Sequence, residues 1–470
     1  MKIGLIQLGC PKNLVDGEVM LGYAREAGHE ITADAREADV IVVNTCAFID
    51  AAREESVDAI LEMAELKRQR AGVRLVVTGC LGERYRGQLQ AEIPEVDVVL
   101  GTGEIPGIVD AITAATAAPP AVHPVRFVRP TRSTRSAGPS PNGNAPSTPS
   151  AFPPTYLYDA CSPRLITTPS HFAYVKVAEG CDYTCAFCII PTLRGAYRSR
   201  TEDSIVAEAE SLAARGVREL LLISQDTTFF GIDRGERGAL ARLLRRLDAV
   251  DGLTWIRLLY LYPTTITDEV LGAMADSARV CAYIDLPLQH ASADVLRRMR
   301  RPGNRATYDT LLSRIRRHLP DVTLRTTFIV GFPGETARDV AELEGFIADT
   351  GFDHVGVFTY SHEEDTRAYA LADDVPAEVK RERRDGVMAL QRDLVRRRNA
   401  SRIGRPLQVL VDGPSPDSPL VVVGRHAGQA PDIDSVVYLT ECDPTAFGPG
   451  DLVETVVTEA RDYDLVARPT

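Results

Sequence analysis

Short runs rich in Val, Ile and Leu, each followed by a longer stretch with helical spacing, recur in two series along this 470-residue chain. The first series is IGLIQL, DVIVVN, RLVVTG and VDVVLG, with helix-like intervals such as Asp50–Arg70 between the runs. The second is FAYVKVAEG, ELLLIS, LTWIRLLYL, AYIDLPLQ, TLRTTFIVG and HVGVFTY, separated by stretches such as Thr201–Arg215, Ala239–Val250 and Ser292–Met299. Continuous apolar runs with helices between them build parallel sheets covered on both faces. The pattern predicts an α/β protein: an N-terminal parallel-sheet domain, then a six-unit partial barrel or open wound sheet. Pro376–Arg402 reads as one long charged helix. Beyond it, PLQVLVDG, LVVVGR, SVVYLT and DLVETVVTEA follow one another without helical intervals. That change predicts a small all-β barrel of about five strands.

Between Ala114 and Pro154 the composition shifts, and ten of the 30 prolines fall there, among Ser, Thr, Gly and Asn. Such a segment is an extended or disordered linker, made somewhat basic by Arg126, Arg129, Arg132 and Arg135. The expected division is 1–113, a linker over 114–168, a second domain over 169–401 and a third over 402–470. No apolar run approaches the roughly 20 residues needed to cross a bilayer. The start, MKIGLIQLGCPKN, reads as a first core strand and not as a signal peptide, so a cytoplasmic location without membrane contact is expected. There, nine cysteines are better read as metal ligands, catalytic thiols or core residues than as a disulfide framework. A net charge of −12 and a pI near 5.3 lean away from a dedicated nucleic-acid binder.

Cys181, Cys185 and Cys188 form a C-x3-C-x2-C run directly after the strand FAYVKVAEG. That places them on the carboxyl-end face, where parallel barrels carry their active sites. A closed zinc site needs four ligands, and only three are close; His171 precedes the strand and belongs at its other end. Three thiolates on a four-iron cluster leave one iron open to chelate a small molecule. Zinc and coincidence remain the alternatives. Cys10, Cys46 and Cys80 lie 36 and 34 residues apart, each just after an apolar run. Adjacent strands of a parallel sheet end side by side, where ligands bind, so these three can converge on a second metal cluster. For any one cysteine the ordinary alternative is a buried structural thiol, which is the reading for Cys161, Cys281 and Cys442.

The stretches LGCPKNLVDGE, NTCAFI, TGCLGERY, EGCDYTCAFCIIPTLRGAYRSR, DLPLQHASADVLRRMRR and TTFIVGFPGET resemble the methylthiotransferase family of radical S-adenosylmethionine (SAM) enzymes. The resemblance covers the chain apart from the linker. It implies an N-terminal domain with three cysteine ligands, a radical SAM partial (β/α)6 barrel and a C-terminal TRAM barrel. It further implies two 4Fe-4S clusters, one on Cys181, Cys185 and Cys188 that cleaves SAM, the other on Cys10, Cys46 and Cys80 that carries sulfur. Phe187 is then expected near the adenine of SAM. GCPKNLVDGE, with proline after the cysteine, is more similar to the branch that modifies an aspartate β-carbon of a small-subunit ribosomal protein than to the transfer-RNA branch. GRHAGQAPDID points the same way.

Charge bears on the branch separately. Residues 402–470 hold five arginines, no lysine and eleven carboxylates, a formal net of −6. RNA phosphate calls for a basic surface, whereas an acidic barrel suits a basic ribosomal protein or subunit, with RNA contact only incidental. An external electron donor is also required. The rivals are a transfer-RNA methylthiotransferase and a non-catalytic iron–sulfur carrier or sensor. Gly331 and Phe332, in a strand-to-loop turn, are expected at SAM, although such glycines more often serve the turn itself. Gln225, Asp226, Gln289 and His290 are candidates to line the cavity. Arg194, Arg198 and Arg200 either hold a carboxylate or form a solvated basic loop.

Overall fold

The computed structural model describes residues 1–116 and 154–470, which fall into two compact units, Met1–Tyr156 and Leu157–Thr470. The core of the expected linker, 117–153, lies outside the described residues.

The first unit runs β1 (Lys2–Gln7), α1 (Pro11–Glu26), β2 (Glu30–Thr32), β3 (Val40–Thr45), α2 (Asp50–Gln69), β4 (Arg74–Gly79), α3 (Cys80–Glu92), β5 (Val98–Val99) and α4 (Ile108–Thr116). Its sheet is parallel, in the order β2-β1-β3-β4-β5. The central strand β3 is buried along its whole length, as a strand covered on both faces must be. The short edge strand β2 has no counterpart among the apolar runs.

The second unit opens with a strap that the composition assigned to the linker. Tyr158 is buried, its hydroxyl donates to the Glu208 carboxylate, and Arg164 pairs with the same carboxylate at 2.6 Å. The polar composition of 157–168 is therefore spent on specific buried bonds, and this part of the expected linker is packed structure. At the other end of the linker, α4 continues to Thr116, three residues past the expected limit.

From there the order is β6 (Phe172–Lys176), β7 (Ala178–Glu179), α5 (Ile190–Arg194), β8 (Arg198–Ser199), α6 (Glu202–Ala214), β9 (Glu219–Ile223), α7 (Ala239–Asp248), β10 (Trp255–Leu258), α8 (Asp268–Asp276), β11 (Tyr283–Asp285), α9 (Ala293–Arg298), α10 (Arg305–His318), β12 (Thr323–Val330), α11 (Ala337–Thr350), β13 (His354–Thr359) and α12 (Ala377–Ala400). Strands β6-β9-β10 and β11-β12-β13 form two parallel sheets joined by a parallel bridge from Ile256 to Val280. This gives the six-unit partial barrel in chain order. Local signals fix its helices: the Thr201 hydroxyl accepts from the Ser204 amide at the start of α6, and Asn304 and Thr336 head capping boxes on α10 and α11.

The chain ends in β14 (Pro406–Ser415), β15 (Ser418–Arg425), β16 (Val437–Leu439), β17 (Leu452–Arg461) and β18 (Asp464–Pro469). They close a barrel in the order β14-β15-β16-β18-β17 around Val409, Val411, Val437 and Leu465. This barrel sits on the amino ends of the parallel strands. His171, just before β6, bonds Asp412 at 2.8 Å; Glu219, first in β9, pairs with Arg425; Tyr283, first in β11, donates to Asp434 at 2.7 Å. The β-barrel and the C-x3-C-x2-C loop thus occupy opposite ends of the parallel sheet. Among the described residues, no helix is long and apolar enough to cross a membrane.

Candidate metal centres

The cysteine loop Gly180–Tyr197 is pinned at its base by antiparallel pairing of β7 with β8 and by the Cys181 amide bonding Gly195 O at 3.0 Å. Arg301 Nη1 approaches Cys185 Sγ at 3.8 Å. Burial pushes the Cys181 thiol up to about 11 and the Cys188 thiol up to about 12, and the nearness of Cys185 adds to both. The three thiols are therefore neighbours, with one donor, Arg301, aimed at sulfur. Ligation, which needs thiolates, would release their protons. As the side chains stand, no three His, Cys, Asp or Glu among the described residues are arranged around a single metal ion. The fit to a multi-iron group rests on the donor set: three soft sulfur ligands on one loop, with a guanidinium N–H beside one of them.

Cys185 and Cys188 flank Ala186 and Phe187. Ala186 is buried with Val295, Met299, Phe332, Tyr360 and Ala368, and Phe187 is half-buried against that cluster. Backbone bonds from Ala186 N to Met299 O and from Ala368 N to Ala186 O tie the loop to the barrel rim. Phe332 is fully buried and packs edge-on against Tyr360 at 5.0 Å between ring centroids. Gly331 has φ +74°, a Cβ there would collide with the Lys380 side chain, and its amide donates to Glu335. Phe332 is the apolar floor beneath the cysteine loop, and Gly331 makes room for α12.

The basic residues after the cysteines are bonded into the fold, Arg194 and Arg200 buried and Arg198 partly exposed. Arg194 is buried against Glu179 at 3.0 Å, and Glu179 also takes Lys176 at 2.5 Å. Arg200 is buried against Glu208, and Arg198 bonds the carbonyls of Arg194 and Ala196. Gln225 donates to Glu179, and Asp226 accepts from Tyr183, Thr228 and Thr265. Both join the rim as supports for the loop. The His290 ring accepts from the Ser292 amide and points its other nitrogen toward buried Glu335 at 3.4 Å. Gln289 takes φ +75° and pairs its backbone with β12.

The other three cysteines are brought together by strand register. Gln7 pairs with Asn44 and Thr45 with Gly79, so Cys10, Cys46 and Cys80 leave three adjacent strands at the same end. Cys10 is the residue before α1, and Cys80 opens α3. Glycines permit the approach. A Cβ on Gly9 would lie 2.8 Å from Cys46 Cβ and 3.3 Å from its Sγ; one on Gly79 would lie 2.5 Å from Thr45 O. Both glycines take positive φ. Ser56 holds the Cys46 backbone, accepting from its amide and donating to its carbonyl. None of the nine cysteines, all of them described, is in a disulfide. Cys281 is buried and Cys161 exposed.

Arg301 was hidden in the sequence. It lies 113 residues beyond Cys188 in the arginine-rich run RRMRR, and nothing in its spacing marks which arginine turns inward.

Three family models match successive parts of the chain: Uncharacterized protein family UPF0004 over residues 2–101, the Radical SAM superfamily over 175–347 and the TRAM domain over 403–469. Among solved structures, the radical S-adenosylmethionine methyltransferase TsrM from Kitasatospora setae aligns with a TM-score of 0.52 over 76% of this chain and 72% of that one. At 16% identity that likeness concerns the fold alone. Curated relatives named ribosomal protein uS12 methylthiotransferase RimO include those of Koribacter versatilis, 45% identical over 99% of this chain and 96% of its own length, and Solibacter usitatus, 46% identical over 99% and 94%. That of Myxococcus xanthus is 47% identical over 99% and 90%. With such identity along nearly its whole length, the chain belongs to the RimO family of ribosomal protein uS12 methylthiotransferases.

Proposed function

We propose that this protein adds a methylthio group to the β-carbon of an aspartate in ribosomal protein uS12. The observation that carries the reading is the set of three free thiols on one loop at the mouth of the six-unit barrel, with the Arg301 guanidinium beside Cys185. Cys181, Cys185 and Cys188 would hold a 4Fe-4S cluster, and Cys10, Cys46 and Cys80 a second one. When bound, the clusters and SAM supply the one-electron chemistry that breaks an unactivated C–H bond and the sulfur and methyl that replace its hydrogen. The chain's own residues position and shield. Glu179, with Lys176 and Arg194, fixes the start of the cysteine loop. Phe332 and Ala186 keep water from beneath it, and Phe187 borders the face where an adenine would stack.

The acidic last domain favours a basic ribosomal protein or subunit as partner over RNA. Because that domain is held at the amino ends of the barrel strands, a partner touching it and presenting its aspartate at the cysteine loop must span the barrel. An external one-electron donor and a cytoplasmic setting belong to the same reading, as does the boundary at 401.

The test is anaerobic reconstitution with iron and sulfide, then addition of SAM and reductant with either uS12 or transfer RNA. Methylthio mass is expected on the protein, and product only on RNA would overturn the assignment. Cys181→Ala should abolish SAM cleavage. Cys46→Ala should retain cleavage and lose sulfur insertion; sulfur transfer by that variant would refute the division between the two cysteine sets.

A further inference from the structure

The three sulfurs of the cysteine loop are not electrostatically equivalent. A guanidinium stands beside Cys185: Arg301 Nη1 lies 3.8 Å from its Sγ. Arg301 is 9% exposed, and its Nη2 is tied to Pro287 O. Its guanidinium carbon lies 4.2 Å from the centre of the Tyr262 ring. Tyr262 stacks on Tyr183 with centroids 3.8 Å apart and planes 8° from parallel. Tyr183 lies midway between Cys181 and Cys185 in the chain, and its hydroxyl donates to Asp226 at 2.8 Å. The stack therefore leaves the loop at Tyr183, passes through Tyr262 and Arg301, and returns to the loop at Cys185.

Such a closed circuit holds one orientation of the charge. A flexible lysine would lack the planar face that packs on Tyr262 and the fork that bonds Pro287 O and Cys185 together. The site is buried, so the cation acts on the sulfur with little screening by water.

From this geometry we infer that Arg301 is a positioning residue that sets the reduction potential of the barrel cluster, through a fixed positive charge and hydrogen bond on Cys185. The inference rests on the proposed ligation by Cys181, Cys185 and Cys188. One-electron reduction adds a negative charge to the cluster, with the electron coming from an external reductant. A cation held at one ligand sulfur stabilises that state more than the oxidised one and makes the cluster easier to reduce.

The experiment uses full-length protein carrying Cys10→Ala, Cys46→Ala and Cys80→Ala, so that only the barrel site is loaded, reconstituted with iron and sulfide. Iron and sulfide are measured first. If this background binds no cluster, or if a further Cys185→Ala leaves its iron unchanged, the ligand assignment fails and the inference with it. The midpoint potential is then read by redox titration followed by electron paramagnetic resonance, with Arg301 intact, as Arg301→Lys and as Arg301→Met. Arg301→Met should retain iron and lower the reduced-to-oxidised ratio at fixed potential by about tenfold, about 59 mV for one electron. Arg301→Lys should fall between. Equal potentials in all three, at equal iron content, would reduce Arg301 to a packing residue. If Arg301→Met fails to load, Arg301→Lys and Tyr262→Leu, which removes the stacking face, are titrated in its place: an unmoved potential in both overturns the inference.

Discussion

Arg425 Nη1 lies 2.6 Å from the carboxylate of Glu219, and both side chains are buried where the last barrel meets the amino ends of the parallel strands. Glu219 also takes Arg257 at 2.8 Å, and Arg425 also takes Asp412, which accepts from His171. Breaking a buried pair from one side leaves an uncompensated charge and costs about 3–5 kcal/mol. Arg257 and His171 stay behind, so Arg425→Met should cost near the lower end, about 3 kcal/mol. A denaturant titration measures it. The cysteine loop is at the opposite end, so barrel iron per folded chain should not change. A loss under about 1 kcal/mol, within the range of surface pairs, would show that the domains are held by apolar contact alone.

The strap from 157 to 168 gives a second prediction. The Tyr158 hydroxyl donates to Glu208 and accepts from the Lys176 amide at 3.1 Å. Its ring lies under the Arg200 guanidinium, 4.3 Å from the centroid. Tyr158→Phe keeps the ring and removes the hydroxyl from buried partners, for an expected loss of about 1–3 kcal/mol. Unchanged unfolding would mean that the strap behaves as the linker its composition suggests.

What could be read in advance divides along physical lines. The strand-end cysteines were legible because an apolar run and the residue after it fix a place in a parallel sheet; the Thr45–Gly79 register is the geometric form of that reading. The C-x3-C-x2-C loop was legible because its ligands are close in sequence. β2 and β18 were missed because a short edge strand and a terminal strand need no long apolar run. The packing of Phe332 and the room Gly331 makes for α12 were not legible, because a turn after a strand looks the same whether it faces a cofactor or a neighbouring helix. Arg301 could not be found because its role depends on a stack of rings contributed by three separate segments.

Acid sensitivity should centre on Glu179. Burial raises its pKa, but Arg194 and Lys176 overcome this and hold it well below the usual carboxylate range. A carboxylate depressed in the folded state stabilises it above the unfolded-chain value, near 4.3, and that stabilisation is lost as pH falls below this. Glu179→Gln should therefore be less stable at pH 7, because two cations lose their counter-charge. It should also lose less than the parent between pH 5 and pH 3. Thermal unfolding at these values decides it, and parallel losses in both proteins would assign the acid response to other carboxylates.

The final prediction concerns the second set of cysteines. Gly79 has φ +92° and ψ −157°, a region open essentially to glycine alone. A Cβ there would stand 2.5 Å from Thr45 O, 2.6 Å from Asn44 Oδ1 and 2.9 Å from Thr45 N, all part of β3 immediately before Cys46. Gly79→Ala must then either push β4 from β3 at their ends or twist Cys80 off the start of α3. Either response separates Cys46 from Cys80 while leaving every cysteine in place. Reconstituted Gly79→Ala should lose the iron that depends on Cys46 and keep the iron that depends on Cys185. Iron and sulfide assays read this directly when each glycine variant is paired with Cys46→Ala and with Cys185→Ala. Adding Cys46→Ala to Gly79→Ala should remove no more iron, whereas adding Cys185→Ala should remove nearly all that remains. If Gly79→Ala bound iron at the parent level, close approach of the β3 and β4 ends would not be a condition of the second centre.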